Sequence, residues 1–391
     1  MDEKYFVNTL LERVDQGKMS RRSFIHSAGG ILGLVGAYSA LGNIGLSGFA
    51  GTAEAAEASK ASEARPEDWD RMLFYDCTRF RKDPPWTIAN LSQGPTNSWA
   101  LMLDGHTDYA VKEKYKSYFK NYLYADGQLN AGVQVAAVET LMAQRPDVMI
   151  ATPLGAALKV PLERVWDYKI PVIQMQMPYL TDKFLSYVNA DNAYNGRTTA
   201  EWIVKKLNGK GKIVMASGAA GVDTAEVRLA AARAVFKEHP GIEILAHGYH
   251  DWSISKGKKG VEAWLVAHPH IDGIWSDSAF QAWPAVEAFV EAKRDLPPMT
   301  TEPLNGFLRL ANKYKFDFLA VGYPNATGLI MVDVAVKAMM GETVPRYIYV
   351  DQLTFDQTEL KSFYRPDMSD DLWVDYLYPL HWANKQFPKK G

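Results

Sequence analysis

Ala125–Ile173 reads ADGQLNAGVQVAAVETLMAQRPDVMIATPLGAALKVPLERVWDYKIPVI, and its changes of period decide the fold class. Val133, Ala136, Ala137, Thr140 and Leu141 recur at helical spacing within NAGVQVAAVETLMAQRP, so this piece is expected to be an amphipathic helix. DVMIA (147–151) follows as an uninterrupted apolar run, then a helix over 155–168, then PVIQMQ (171–176) as a second apolar run. Strands without alternation, each separated from the next by a helix, belong to a parallel sheet covered on both faces.

The same order extends in both directions. Upstream stand WTIANL (86–91), the turn-rich SQGPTNS, a helix from Trp99 to about Lys120 and the strand NYLYAD (121–126). Downstream, after YVNADN, come a helix at 192–208, the strand KIVMAS (212–217), the loop GAAGVD, and a helix whose start carries Asp223 and Glu226 at capping-box spacing. Strands IEILAH (242–247) and IDGIWS (271–276), helices at 254–268 and 279–294, strands near 299–302 and DFLAVG (317–322), a helix at 325–340 and a strand near 347–354 complete it. Two series of similar length imply an α/β protein of two doubly wound parallel-sheet lobes.

Composition narrows the chemistry. The chain has 391 residues, 43 Lys and Arg against 45 Asp and Glu, and a formal charge of −2, which argues against a nucleic-acid surface. The short basic SKGKKG (255–260) reads as a solvated helix start. Cys77 is the only cysteine, so no intramolecular disulfide forms and stability rests on a buried core. Eleven tryptophans and twenty tyrosines supply more flat faces than most cores use.

Near the N-terminus, SRRSFIHSAGGILGLVGAYSALG (20–42) sets Arg21 and Arg22 against a glycine-diluted apolar run, followed by small residues in A-x-A order at 53–58. That is the layout of a removable export signal. Its S-R-R-x-F-[LI] start resembles the twin-arginine signal, whose route carries folded chains. A retained membrane anchor is the alternative. The expected division is a signal over 1–58, an extended leader over 59–85, one lobe from 86–189 plus 324–346, the other from 190–323 plus 347–362, and a tail over 363–391.

In open parallel sheets the loops at the carboxyl ends of strands build the ligand site. Here these are SQGPTNSW, QMPY, GAAGVDTAEVR, GYHDWS, SDSAFQ, TEPLNG and GYPNAT, expected to face one another across a cleft. They supply the candidate binding residues Trp99, Gln176, Arg228, Trp252, Asp277, Glu302 and Tyr323. Flat aromatics stack on the C–H faces of a sugar while planar polar groups pair with its hydroxyls, each of which needs a partner once buried.

NADNAYNG, with its D-N-x-x-x-G, GAAGVDTAEVRLAA, with its G-x-x-G-x-x-x-A-x-x-R, and AHPHIDGIWSDS, taken with the opening stretch, resemble periplasmic solute-binding proteins of the ribose-binding type over about Thr87–Thr354. The resemblance implies the type I periplasmic binding fold and capture of a sugar or polyol by hinge closure. It further implies delivery to an ABC permease in the inner membrane, a periplasmic location and a monomer. By position it implies ligand contacts at Trp99, with Thr96, Asn97 and Ser98 beside it, and at Arg228, Trp252, Asp277, Glu302 and Tyr323. Gln176 and Met177 stand where many sugar binders carry an acid and an arginine, which departs from a simple ribose site. The alternatives are a sensor that reports to a receptor kinase or chemoreceptor, and a binder of a cationic small molecule.

Other chemistries find little support. His247, His250, His268 and His270 lack H-E-x-x-H spacing, ASGAAG lacks the nucleophile elbow, and Gly218–Gly221 fails the phosphate-loop pattern. No enzyme, cofactor or metal is expected. A repressor of the same fold is excluded, because the export signal occupies the place of its DNA-binding helices.

Overall fold

The computed structural model describes residues 74–175, 182–375 and 378–389. Arg21, Arg22 and the whole export signal lie outside the described residues, as does Gln176. The strands and helices run in this order: β1 (Phe74–Tyr75), β2 (Trp86–Ser92), α1 (Ser98–Tyr109), β3 (Phe119–Asp126), α2 (Ala131–Ala143), β4 (Val148–Ala151), α3 (Lys159–Asp167), β5 (Val172–Gln174), β6 (Ser186–Asn189). Next come α4 (Asn192–Lys206), β7 (Gly211–Ser217), α5 (Asp223–Glu238), β8 (Ile242–Tyr249), α6 (Ile254–Ala267), β9 (Gly273–Ser276), α7 (Ala279–Glu291), β10 (Met299–Thr301), α8 (Asn305–Tyr314) and β11 (Phe318–Val321). The chain closes with α9 (Thr327–Met339), β12 (Val344–Pro345), β13 (Tyr347–Tyr349), β14 (Thr354–Asp356), α10 (Leu360–Phe363) and α11 (Leu380–Gln386).

These elements form two compact units. Among the described residues, the first holds 74–190, 324–351 and 378–379, and the second holds 191–323, 352–375 and 380–389.

In the first unit a six-stranded sheet runs β13-β6-β5-β4-β2-β3, parallel throughout. Every residue of β2, β4, β5 and β6 is buried, as strands covered on both faces require. Ala89, Leu91, Met149, Ala151 and Val172 pack with Val138 and Leu141 of α2 and Leu162 and Val165 of α3. Asn97 and Asn130 start α1 and α2 by accepting from the Ala100 and Val133 amides, which satisfies donors a helix leaves open. From the leader, β1 pairs antiparallel with β12, and the Tyr75 and Phe80 rings meet Trp166 edge-on at 5.7 and 5.6 Å. Cys77 is buried there and its thiol is pushed up to about 12 by desolvation, so it is inert.

In the second unit the order is β14-β11-β10-β9-β7-β8, parallel except where β14 meets β11. Successive residues serve opposite faces. Ile213, Met215 and Trp275 join Ala200, Ile203, Leu229 and Phe236 of α4 and α5. Val214 and Ile274 join Val261, Val286, Phe289, Phe307 and Leu308 of α6 to α8.

Four local expectations need correction. The face of α2 expected from Val133, Ala136, Ala137, Thr140 and Leu141 is not the one that packs: Ala136 and Thr140 are exposed, and Gln134, Val138 and Leu141 are buried. The helix from Trp99 ends at Tyr109, where Ala110–Lys114 widens into a π-turn, and β3 begins at Phe119, whose ring lies 6.0 Å from Trp86. The strand near 347–354 is two strands, β13 and β14, in different sheets. Asp223 does not cap α5: Val222 stands at the cap, and Glu226 reaches back to the Gly221 amide at 2.8 Å instead.

Candidate ligand site

In the second unit the strand order reverses between β7 and β9, and such a reversal opens a crevice at the carboxyl ends of the strands. The loops that leave β7 and β9 meet there: the Gly218 amide donates to Asp277 Oδ2 at 2.8 Å. The β10 end adds Glu302, the β11 end adds Tyr323, and the turn after β8 adds Trp252.

Arg228, on the second turn of α5, is the centre of this group and only 1% exposed. Its Nη1 donates to the Asp277 carbonyl at 2.6 Å and to Glu302 Oε1 at 3.0 Å. Its Nε donates to Asn192 Oδ1 at 3.0 Å, and its guanidinium carbon lies 4.9 Å from the Tyr323 ring centroid. The closeness of α4 and α5 depends on Gly196, since a Cβ there would run into the Arg228 backbone. Gly218 plays the same part for Trp252, whose indole lies directly against it. Trp252 itself has φ 49°, a left-handed conformation that costs a bulky residue energy and that tends to persist where a side chain must be aimed.

Two carboxyl groups share one guanidinium, so full ionisation of both would leave the buried cluster with an excess negative charge. Asp277 is pushed up to about 7, mainly by desolvation; Glu302 adds to this, while Arg228, the Gly218 amide and Trp252 pull it down. Burial also raises Glu302, against the pull of Arg228 and Ser278. Tyr323 is raised by burial too, with Arg228, Thr224 and Asn192 opposing.

Two polar atoms at this point have no hydrogen-bond partner among the described residues, although both are buried: Arg228 Nη2, a donor, and Asp277 Oδ1, an acceptor. Buried polar groups are seldom left so, because each costs about 1–3 kcal/mol. A hydroxyl, which accepts and donates at once, is the simplest group able to serve both.

Five of the seven candidate residues, Arg228, Trp252, Asp277, Glu302 and Tyr323, therefore stand together within the second unit. Trp99 belongs to the first unit, in the first turn of α1, and is 6% exposed; Asn325 Nδ2 donates to its carbonyl at 2.7 Å. Asn97, expected beside it as a polar contact, spends its Oδ1 on the α1 cap. Sequence reasoning missed Asn192, which orients Arg228, and the Gly218 amide, which holds Asp277. Both fall inside stretches quoted above, NADNAYNG and GAAGVDTAEVR, so the signal was present as position without a role. Among the histidines, His247 Nε2 lies 3.0 Å from Ser217 Oγ, and His250 packs on Trp264. Among the described residues no group of three or more His, Cys, Asp or Glu is placed to hold a metal.

Residues 88–343 match the model of a family described as a periplasmic binding protein domain. The chain is 32% identical over 188 residues to the galactofuranose-binding protein YtfQ of Escherichia coli (strain K12), a match that covers 47% of this chain and 58% of that protein. It is 25% identical over 250 residues to the ribose import binding protein RbsB of Salmonella typhimurium, covering 62% and 82%. Among solved structures it resembles an ABC transporter solute binding protein of Bacillus halodurans C-125 with bound myo-inositol, at TM-score 0.66 and 21% identity over 72% of this chain and 98% of that one. At that identity the likeness establishes the fold: two lobes of mainly parallel sheet flanked by helices.

Proposed function

The chain belongs to the family of periplasmic binding protein domains, and from that membership we propose that it captures a sugar or polyol and delivers it to an ABC importer. One observation carries the reading. Arg228 Nη2 and Asp277 Oδ1, a buried donor and a buried acceptor without partners among the described residues, stand at the strand reversal beside the Trp252 and Tyr323 rings. The rings suit the C–H face of a sugar, and the donor–acceptor pair suits its hydroxyls. Galactofuranose and ribose, the sugars for which those two relatives are named, are of that class.

In this reading Arg228, Asp277, Glu302, Trp252 and Tyr323 are ligand contacts, and Trp99 and Gln176 keep the contact role expected of them from the sequence. Capture proceeds by hinge closure of the two lobes, and the closed form is what the permease recognises. The site binds and presents; we assign it no catalytic step. A thermal-shift panel of D-galactose, D-ribose, xylitol and myo-inositol tests the proposal, because a ligand that prefers the folded state raises the melting temperature. A rise for at least one member is the expected outcome. No rise for any of them, with a rise for a small quaternary amine instead, would reject the sugar reading.

We also propose that the chain works as a monomer in the periplasm, exported by the twin-arginine translocase. Among the described residues no helix is long and apolar enough to cross a membrane. Arg21→Lys together with Arg22→Lys is expected to hold the precursor in the cytoplasm, read by fractionation. Normal periplasmic yield from the double variant would point to another route.

A further inference from the structure

The chain beyond the family match, which ends at 343, returns to the second unit as a strap that bonds to the segment after Glu302 and packs on Phe280, near Asp277. The helix α8 starts directly after TEPL, with Leu304 at its cap and no side-chain acceptor for its open amides. Those amides are met from the tail: Asn305 N donates to the Leu372 carbonyl and Gly306 N to the Asp370 carbonyl, each at 2.9 Å. The contact is reciprocal. Val374 N donates to the Pro303 carbonyl at 2.8 Å, Leu304 bridges Trp373, and the Asn305 side chain donates to the carbonyls of Arg365 at 2.8 Å and Ser369 at 3.0 Å. Arg309 Nε and Asp370 Oδ1 close the strap at 2.8 Å. Trp373, 1% exposed, lies 5.8 Å from the ring of Phe280, three residues past Asp277. Phe280 in turn follows Ser278 and Ala279, which join Arg228 in bonding to Glu302.

We propose that residues 365–374 are a positioning strap for the Arg228 cluster, in which Trp373 fixes the Asp277 and Glu302 loops against each other. The strap touches no ligand; it acts through Phe280 on one loop and through Pro303–Gly306 on the other. Loops held only by their own strands would let the two carboxylates drift relative to the guanidinium, and misplacement by about 1 Å weakens a polar site by one to two orders of magnitude. This inference rests on the reading of Arg228, Asp277 and Glu302 as ligand contacts.

The test compares Trp373→Leu, which stays apolar but loses the ring and much of its volume, with Trp373→Phe, which keeps a ring, in the full chain. Two readouts are taken: calorimetric affinity for D-galactose, D-ribose, xylitol and myo-inositol, and the Asp277 carboxyl titration followed by carbon NMR. The strap predicts that Trp373→Leu admits water and moves the Asp277 midpoint down by about one unit. It also predicts an affinity loss of about tenfold or more, with Trp373→Phe close to the parent in both. An unmoved Asp277 midpoint in Trp373→Leu overturns the proposal, and that arm is decisive whichever sugar binds. Should Trp373→Leu not fold, Asp370→Ala breaks only the half-exposed Arg309 pair and is expected to shift the midpoint the same way by less; no shift there overturns it equally. Arg228→Ala is measured beside them: if it leaves sugar affinity intact while Trp373→Leu still moves the Asp277 midpoint, the ligand reading fails and the strap stands.

Discussion

Arg228→Ala is expected to cost about 2–5 kcal/mol of sugar binding and a comparable amount of folding stability. The guanidinium is buried with Glu302 at 3.0 Å, the Asp277 carbonyl at 2.6 Å and Asn192 at 3.0 Å, so its removal strands three acceptors at once. Breaking one side of a buried pair is more damaging than replacing both, because the remaining charge has no solvent to turn to. Glu302 and Asp277 would then be driven further toward their protonated forms. Arg228→Lys retains the charge but not the planar fork that reaches Asn192 through Nε and the carbonyl through Nη1, and it is expected to recover stability more than affinity. Calorimetry and denaturant unfolding on the three proteins check this; affinity unchanged in Arg228→Ala would remove the residue from the site.

The second large effect is on pH dependence. Asp277, pushed up to about 7 in the folded chain, has an ordinary value of 3.8 once exposed on unfolding. Between those values the folded form holds a proton that the unfolded form has lost, so stability from this group falls as pH rises. It is present in full below the unfolded value and lost through the folded one. Asp277→Asn cannot ionise and keeps a carbonyl oxygen to accept from the Gly218 amide. Its stability relative to the parent is therefore expected to improve by about 2–3 kcal/mol between pH 5 and pH 8, a difference measurement that cancels the titrating groups not coupled to Asp277. A constant difference across that range would mean that Asp277 is ionised throughout.

The residues that announced the fold were those whose signal is local. VMIA of β4 and FLAV of β11 are short, apolar and buried along their whole length. Boundaries failed where a tertiary partner decides them. Phe119 ends the region after α1 early because its ring packs against Trp86 in the neighbouring strand, and Tyr347–Asp356 divides because its two ends pair with different sheets. For the candidate site, the placing of Asp277, Glu302 and Tyr323 at strand ends was legible from the order of strands, and Arg228 from its position in the loop and helix start that follow β7. The Trp252 conformation, the Asn192 contact and the Gly218 amide were not, since each depends on geometry between elements. The strap was least visible of all. Asn305 meets Ser369 across 64 residues of sequence, and nothing in the composition of the tail declares that its carbonyls complete a helix start.

A crystal structure of the chain with whichever panel member raises its melting temperature most would test the central claim directly. It is expected to show one ligand hydroxyl that accepts from Arg228 Nη2 and donates to Asp277 Oδ1, with the Trp252 ring against the carbon face. A ligand bound at another place, with both of those atoms still without a partner, would contradict it.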